Sequence, residues 1–455
     1  MKEKSMERGN FGSKIGIVLA TAGSAVGLGN VWRFPYMTGE NGGAAFLLIY
    51  IGCIFILGIP GMISEFIVGR RAQSNAARAY HQLSNGKPWR LVGYLGILTS
   101  TIILGFYAVV AGWCLQYLFA AIVGQLHGDA HYVKDYFQEF SSDSVKPVLW
   151  GVYFILATQW VVARGVRGGI ERASKWLMPI LLVLLVVLVI ASCMLPGAME
   201  GVRFLLKPDF PKLNSSVLIE ALGQAFFSLS LGTACLCTYA SYFSRETNLL
   251  RSASQIALLD TFIAILAGLM IFPAAASVGV SPDSGPALIF ITLPNVFQQA
   301  FGAVPAIGYV VGVMFYALLV FAALTSTISM HEIGTAFFTE ELHLSRRYSA
   351  WVVTVAASLL CVLCAWSVGA MPALKIADWS LMDFCDMLTA DIMLPLGGML
   401  ACLFVGWYVP RQVVFEEFTN GGQHNLRFYR IYLFAVRYVC PICILLIFLH
   451  QLGVI

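Results

Sequence analysis

The sequence Ala20-Thr-Ala-Gly-Ser-Ala-Val-Gly-Leu-Gly-Asn-Val-Trp-Arg-Phe-Pro35 lies within a segment that is long and apolar enough to cross a membrane. Its glycines lower helix propensity in the middle of that segment. Asn30 and Arg33 are costly at membrane depth unless the protein supplies partners for them. Because a broken helix is tolerated there only when it is buried in protein or lines a cavity, this segment predicts part of a site and not a lipid anchor.

The composition of the whole chain is that of a polytopic membrane protein. Of its 455 residues, 59% are hydrophobic and 11% are charged, and the mean hydropathy is +0.79. The first apolar run is too long for a removable signal and lacks a small-residue cleavage pattern. Apolar runs of about 20 residues predict eleven membrane spans, near 13–37, 42–69, 91–124, 148–163, 175–195, 217–243, 253–275, 303–338, 349–367, 382–409 and 428–451.

Lys and Arg are distributed unevenly between alternate loops. With the N-terminus in the cytoplasm, sixteen of them fall in the inner loops and six in the outer loops. This bias predicts that the N-terminus lies inside the cell and, because the number of spans is odd, that the C-terminus lies outside. The bias also accounts for the net charge of +4, so the charge indicates no nucleic-acid partner. The expected surroundings of the protein are the lipid bilayer, and the sequence suggests no obligate protein partner.

Three further polar features lie at membrane depth. Ser228, Ser230 and Gly232 interrupt the sixth span, Thr325 and Ser326 are adjacent in the eighth, and Asp260 lies early in the seventh. Paired interrupted helices in two halves of a chain are typical of a transporter's central site. Free N–H groups at such breaks favour a carboxylate, and freed carbonyls favour a small cation such as Na⁺.

Other interpretations explain parts of this pattern. Ser and Thr can bond to the preceding turn of their own helix, and Gly23 to Gly27 fits a small-residue helix-packing motif. A passive channel is compatible with broken helices. An intramembrane hydrolase needs a nucleophile with a base, but the predicted topology puts Asp260 and Asp383 on opposite sides. The eleven cysteines, nearly all within apolar spans, are interpreted as packing residues.

Several motifs together resemble the neurotransmitter:sodium symporter family, in its bacterial amino-acid-transporting, eleven-span branch. The resemblance covers the first ten spans, and its motifs are Gly23 to Pro35, Glu40-Asn-Gly-Gly43, Arg167-Gly-Gly-Ile-Glu171, Ser228-Leu-Ser-Leu-Gly232 and Leu324-Thr-Ser326. It implies an all-α, leucine-transporter-like fold with discontinuous helices 1 and 6, and a carrier that is not an enzyme. The resemblance divides the chain into a cytoplasmic N-terminus (1–12), two inverted five-helix repeats (13–197 and 217–409) and an eleventh helix (428–451).

The resemblance also implies two sodium sites and no organic cofactor. The first would use the Ala25 carbonyl with Asn30, Ser228 and Asp260, and the second would use the carbonyls of Gly23, Val26 and Ala322 with the hydroxyls of Thr325 and Ser326. The family usually has asparagine at position 260. In chloride-dependent members, the anion is held at the positions of Tyr50, Gln224, Ser228, Asp260 and Ala264. We expect Asp260 to supply the negative charge itself, so that chloride is not required.

The same resemblance implies which residues contact the substrate: Ser24, Ala25, Gly27, Gly29, Ile103, Tyr107, Phe227, Ser228, Ser230, Thr233, Ala234, Ser326 and Met330. Monoamine carriers of the family have aspartate at the position of Gly27, so the substrate here is expected to bring its own carboxylate, as an α-amino acid does. Thr233 replaces a bulky aromatic residue of the leucine-transporting member. This favours a large apolar or aromatic amino acid, with a small one such as glycine or alanine as the alternative.

The resemblance implies sodium-coupled symport by alternating access, which requires one gate on each side of the substrate site. On the outer side, Arg33 is expected to face Asp383 above a lid formed by Tyr107 and Phe227. On the inner side, Arg8 is expected to pair with Glu340, near Phe11 and Tyr242.

Overall fold

The computed structural model describes residues 10–126, 130–210, 214–279, 288–301, 304–371 and 373–454. Arg8, and with it the predicted inner ion pair, lies outside the described residues. Within them the protein is helical except for one antiparallel pair of two-residue strands, Lys375–Ile376 and Trp379–Ser380. The predicted all-α class is therefore confirmed.

Eight helices among the described residues are long and apolar enough to cross a bilayer. They are Ala44–Ala72, Arg90–Ile122, Val166–Cys193, Leu249–Ser277, Pro305–Glu341, Arg346–Val368, Leu381–Tyr408 and Leu426–Gln451. They correspond to spans 2, 3, 5, 7, 8, 9, 10 and 11 of the sequence prediction. Span 5 begins earlier than predicted, because its first turn is a π-helix at Val166–Glu171.

Spans 1 and 4 each belong to a bent pair of helices. Span 1 consists of Lys14–Ala25 and Gly29–Glu40, which bend by 55° at the glycine-rich break. Span 4, Lys146–Val162, follows the helix His131–Ser142 at a bend of 75°. That helix lies in the segment predicted as an outer loop, and the sequence prediction missed it because it is short and amphipathic.

Span 6 is also discontinuous, with helices Ser215–Ser228 and Cys235–Ala240. Ser230, Gly232 and Ala234 all have positive φ angles, of 55°, 82° and 61°. Such angles are unfavourable for Ser and Ala, so the surrounding structure must hold this break in place. Glu65 of span 2 contributes, because its Oε1 accepts the Gly232 N–H at 2.7 Å.

Short helices connect several spans: Ala76–Leu83, Ala198–Leu206, Leu293–Ala300 and Arg411–Thr419. In the interior, span 3 packs against spans 4, 8 and 9, and the first half of span 1 packs against spans 5, 7 and 8. The two breaks of spans 1 and 6 therefore lie inside the protein and not against lipid.

Arg437, in the middle of span 11, has a partner that the sequence did not indicate. Its Nε donates to the Gly406 carbonyl at 2.6 Å, and its guanidinium lies 5.4 Å from the ring centroid of Trp407. Gly406 belongs to the π-helical turn Phe404–Tyr408 of span 10, where the α-helical hydrogen-bond pattern is interrupted. Arg437 thus links span 11 to span 10 through a backbone carbonyl.

Candidate functional site

The two helix breaks meet at a cavity of about 100 Å³. Ser230 Oγ, from the break in span 6, donates to the Ser24 carbonyl of span 1 at 3.1 Å. Tyr107 Oη, from span 3, accepts the Leu28 N–H of the other break at 3.2 Å. These hydrogen bonds hold three spans around one cavity at the place where helical hydrogen bonding is interrupted.

Twelve of the thirteen residues expected to contact the substrate line this cavity: Ser24, Ala25, Gly27, Gly29, Ile103, Tyr107, Phe227, Ser228, Ser230, Thr233, Ser326 and Met330. Ala234 is not among the lining residues. Its left-handed backbone directs the side chain toward span 3, where its Cβ lies 2.6 Å from the position that a Cβ on Gly96 would take. Spacing along the sequence does not reveal a residue with positive φ, so the sequence did not indicate this orientation.

The structure adds seven lining residues that the sequence prediction did not include: Leu28, Phe106, Cys235, Ser329, Asp386, Thr389 and Leu394. Ser329 is one helical turn after Ser326, and Thr389 is one turn after Asp386. Residues three positions apart share a helix face, so this spacing could have identified Ser329. Span 10 could not have been assigned to the cavity in that way, because its rotation depends on tertiary packing.

One cluster of buried oxygens joins span 1 to span 8. Thr325 Oγ1 lies 3.2 Å from the Val26 carbonyl and 2.9 Å from the Ala322 carbonyl. Ser326 Oγ lies 3.5 Å from the same Val26 carbonyl, and Gly23 packs against Thr325. The break leaves the Val26 carbonyl available, and a set of carbonyl and hydroxyl oxygens without a carboxylate suits a small monovalent cation.

A second buried cluster surrounds Asp260. Its two carboxylate oxygens accept from Asn30 Nδ2 at 2.8 Å and from Ser228 Oγ at 2.7 Å. Asn30 Oδ1 accepts the Gly27 N–H at 3.1 Å, which ties this cluster to the break in span 1. Among the described residues, no Lys or Arg forms an ion pair with Asp260, although the residue is fully buried. Because an isolated buried carboxylate is costly, the arrangement favours a cation as the compensating charge.

Two of the positions that hold the anion in chloride-dependent members carry buried polar side chains with no hydrogen bond of standard geometry in the described part of the chain, although one of them, Tyr50, lies close enough to interact with the Asp260 carboxylate. The atoms without such a bond are the Oη of Tyr50 and both polar atoms of the Gln224 amide. Both residues are fully buried, and the charge of Asp260 acts on Tyr50. Ala264 is at the last of the five positions that hold the anion in chloride-dependent members, and its side chain has no polar atom. Buried polar groups are normally hydrogen-bonded, so this group of donors can interact with an anionic charge, which Asp260 supplies.

The outer gate differs from the expectation. The Arg33 guanidinium lies 4.3 Å from the Phe227 ring centroid, a cation–π contact above the cavity. The carboxylates whose charges act on Arg33 are those of Asp386, Asp391 and Glu220. The predicted partner, Asp383, is exposed in the first turn of span 10 and bonded to Ser380 Oγ. Asp386, which is also exposed, is one helical turn further along and lines the cavity, so we infer that Asp386, and not Asp383, faces Arg33.

We expect Asp386→Asn to reduce substrate uptake at least tenfold, while Asp383→Asn leaves it close to wild type. Asp386 lines the same cavity as Phe227, on which the Arg33 guanidinium packs, and an electrostatic interaction of about 1.4 kcal/mol is enough for a tenfold effect. Initial uptake rates of the two purified variants in vesicles provide the measurement. A larger loss in Asp383→Asn than in Asp386→Asn would contradict this assignment.

The opposite end of the site contains a charged network around Tyr242, a predicted inner-gate residue, and the sequence prediction did not include its partners Glu332 and Arg346. Tyr242 Oη donates to Glu332 Oε1 at 2.7 Å, and the Arg346 guanidinium contacts both carboxylate oxygens of Glu332, at 3.1 and 2.5 Å. Phe11 N donates to the Tyr242 carbonyl at 3.4 Å. This network connects the segment before span 1 to spans 6, 8 and 9.

Glu340 and Glu171 hold neighbouring segments. Glu340 Oε2 accepts from Asn75 N at 2.7 Å and from Asn75 Nδ2 at 3.0 Å, at the start of helix Ala76–Leu83. Glu171, at the start of span 5, accepts from Gly12 N at 2.6 Å and from Ser13 Oγ at 3.0 Å. The start of span 1 is thus tied to span 5, independently of any pairing by Arg8.

The chain is similar to known transporters along its whole length. The model of the Sodium:neurotransmitter symporter family matches residues 8–144 and 127–455. An uncharacterized sodium-dependent transporter of Bacillus subtilis, YhdH, is 38% identical over 448 residues, covering 98% of each chain. An uncharacterized sodium-dependent transporter of Haemophilus influenzae is 34% identical over 472 residues, covering 99% of this chain and 100% of that protein.

The fold is also similar to that of a transporter of known structure. The crystal structure of MhsT in complex with L-phenylalanine has a TM-score of 0.88 and 42% sequence identity, and the match covers 98% of this chain and 100% of that chain. The expected architecture of two inverted five-helix repeats with one extra helix is confirmed, and the protein is a membrane transporter and not an enzyme. With the family model matched along the chain and two relatives above 30% identity, the chain belongs to the Sodium:neurotransmitter symporter family.

Proposed function

We propose that this protein is a sodium-coupled symporter of a neutral α-amino acid, with a preference for large apolar or aromatic side chains. The observation that carries the proposal is the position of the cavity, directly between the two buried oxygen clusters and at both helix breaks. Half-helix ends provide N–H groups for the substrate carboxylate. Gly27, which lines the cavity, carries no side-chain charge, so a substrate carboxylate meets no competing acid at that position.

The remaining walls favour an apolar side chain. Ile103, Phe106, Met330 and Leu394 line the cavity from spans 3, 8 and 10, and Phe227 adds an aromatic ring beside the helix breaks. MhsT, whose structure contains L-phenylalanine, supports a substrate of this class. A small amino acid such as glycine or alanine is the alternative, and it would leave most of these apolar walls without contact.

Coupling between ion and substrate follows from their shared residues. Ser326 belongs to one oxygen cluster and lines the cavity, and Ser228 does the same for the other cluster. Sodium that orders these residues lowers the cost of substrate binding, and by thermodynamic reciprocity the substrate strengthens sodium binding. Alternating access then requires that the gate at Arg33 and the network at Glu332 open in turn. We further propose a bacterial cytoplasmic-membrane location, supported by the similarity to the Bacillus subtilis and Haemophilus influenzae transporters, with the N-terminus inside, supported by the distribution of Lys and Arg.

A competition assay tests the substrate class. Each of the twenty amino acids is used to displace labelled L-phenylalanine from the purified protein, in sodium buffer and in buffer without sodium. We expect the strongest displacement by aromatic and large aliphatic amino acids, and only with sodium. Stronger displacement by glycine or alanine would favour the small-substrate alternative. Uptake into vesicles against a concentration gradient, driven by sodium, would exclude a passive channel.

Thr233→Phe is expected to weaken the binding of L-phenylalanine by about tenfold or more relative to L-alanine. Thr233 is at the wall of the cavity, and an added ring overfills a packed site at a cost of about 1–3 kcal/mol. Its hydroxyl also donates to the Ser230 carbonyl at 2.7 Å and accepts from Cys235 N at 3.1 Å. Thr233→Ser keeps these bonds and serves as the control. Equal losses for both amino acids in Thr233→Phe would indicate a damaged helix break instead of a smaller pocket.

A further inference from the structure

A second cavity, of about 560 Å³, opens where spans 1 and 7 begin, next to the segment that joins spans 10 and 11. Lys14 is the first residue of span 1, and Arg251 lies in the first turn of span 7. The two spans begin at the same membrane face, because both have odd numbers in the chain. We call this cavity the span 1–7 crevice, and none of its lining residues belongs to the substrate cavity.

The charges in the crevice are unbalanced. Lys14 and Arg251 are exposed, and neither forms an ion pair with any of the described residues. Nearby Arg70 differs, since it is buried and paired with Glu417 at 2.6 Å. Glu246 is the one carboxylate among the described lining residues. Within the described part of the chain, the crevice therefore presents two cations that form no ion pair, against one acid.

An apolar flank adjoins these cations on span 1. Ile15 is 68% exposed, and Val18 and Leu19, which also line the crevice, are half-buried. These residues continue from Lys14 into the membrane-spanning part of the helix. A ligand that uses the whole surface therefore needs an anionic group at the membrane boundary and an apolar part directly below it.

The chain's own N-terminal segment leaves in another direction. Phe11 N is bonded to the carbonyl of Tyr242 in span 6, and Gly12 N is bonded to Glu171 of span 5. Residues 10–12 thus run toward spans 5 and 6, away from the side of span 1 that faces span 7.

We propose that the span 1–7 crevice binds an anionic phospholipid, with the phosphodiester on Lys14 and Arg251 and an acyl chain along Ile15, Val18 and Leu19. Basic pockets between membrane helices are suited to anionic headgroups. A free phosphate is also an anion but gains nothing from the apolar flank, so the lipid is the better fit. Bound there, the lipid bridges spans 1 and 7 and holds the first half of span 1 against the rest of the protein.

The experiment uses the full-length protein in detergent, titrated with phosphatidylglycerol and followed by native mass spectrometry. Lys14→Gln combined with Arg251→Gln should weaken binding of the tightest lipid by roughly thirty-fold, since each basic residue near the surface contributes about 1 kcal/mol. The control is Arg172→Gln combined with Arg347→Gln. These two arginines are exposed at the same membrane face, so this control makes the same change in net charge. We expect the control to bind like wild type.

Thermal unfolding gives an independent readout, because a ligand that binds the folded state raises the unfolding temperature. Phosphatidylglycerol should stabilise wild type and the control but not the crevice variant. If the double variant does not fold, Lys14→Gln and Arg251→Gln are measured singly, each with an expected loss of about fivefold. Equal binding by crevice and control variants would overturn the proposal. Displacement by inorganic phosphate, or equally tight binding of phosphatidylethanolamine, would also overturn it.

Discussion

Thr325→Ala combined with Ser326→Ala is expected to abolish the sodium dependence of amino-acid binding. The two hydroxyls provide two of the five oxygens proposed for one sodium ion, and they lie within 3.5 Å of the Val26 carbonyl. Removing a buried polar partner costs about 1–3 kcal/mol, so the loss of both should reduce sodium affinity by roughly a hundredfold or more. The measurement is equilibrium binding of labelled L-phenylalanine across a sodium titration.

Two controls separate ion binding from folding. Thr327→Ala removes a neighbouring buried hydroxyl that contacts Thr158 Oγ1 at 2.8 Å on the other side of the helix, and we expect it to keep its sodium dependence. Thr325→Ser keeps a hydroxyl in the cluster and should also retain it. If the double variant still requires sodium as wild type does, this oxygen cluster is not an ion site.

Asp260→Asn is expected to lower sodium affinity by roughly a hundredfold to a few thousandfold, and to make the remaining uptake respond to chloride. Removing one partner of a buried charge pair costs about 3–5 kcal/mol. Without the carboxylate, Tyr50 loses the group with which it interacts, and the Gln224 amide has no hydrogen bond among the described residues, so we expect both to be available to an external anion. Sodium-driven uptake is measured with chloride present and with chloride replaced by gluconate.

Wild type should give the same uptake in both buffers if, as we propose, Asp260 itself supplies the negative charge. Asp378→Asn, an exposed aspartate between the two short strands, is the matched control for losing one negative charge. Chloride-dependent uptake by wild type would refute chloride independence while leaving sodium coupling intact.

The helices and their interruptions could be predicted from the sequence because lipid imposes strict local rules. A membrane helix must satisfy its own backbone hydrogen bonds, so uninterrupted apolar runs revealed the continuous spans. Glycine and polar residues within such runs revealed the breaks at 26–28 and 229–234. The helix His131–Ser142 lacked such a signal, since it is short and partly exposed.

The contacts between side chains of different helices could not be predicted from these local rules. Asp386 and Asp383 are one turn apart, and only the rotation of span 10 shows which one faces Arg33. The contact of Arg346 with Glu332 joins spans 9 and 8, and no motif in the sequence marks it.

The sequence by itself determined the class of protein, the eleven spans, the two interrupted helices and most of the residues around the cavity, because each depends on local composition and spacing. The tertiary structure decided which side chains meet: Asp386 near Arg33, Ala234 against span 3, Arg437 on the Gly406 carbonyl, and Lys14 and Arg251 in one crevice. These contacts depend on how helices rotate and cross when they pack, and packing is a property of the whole set of helices.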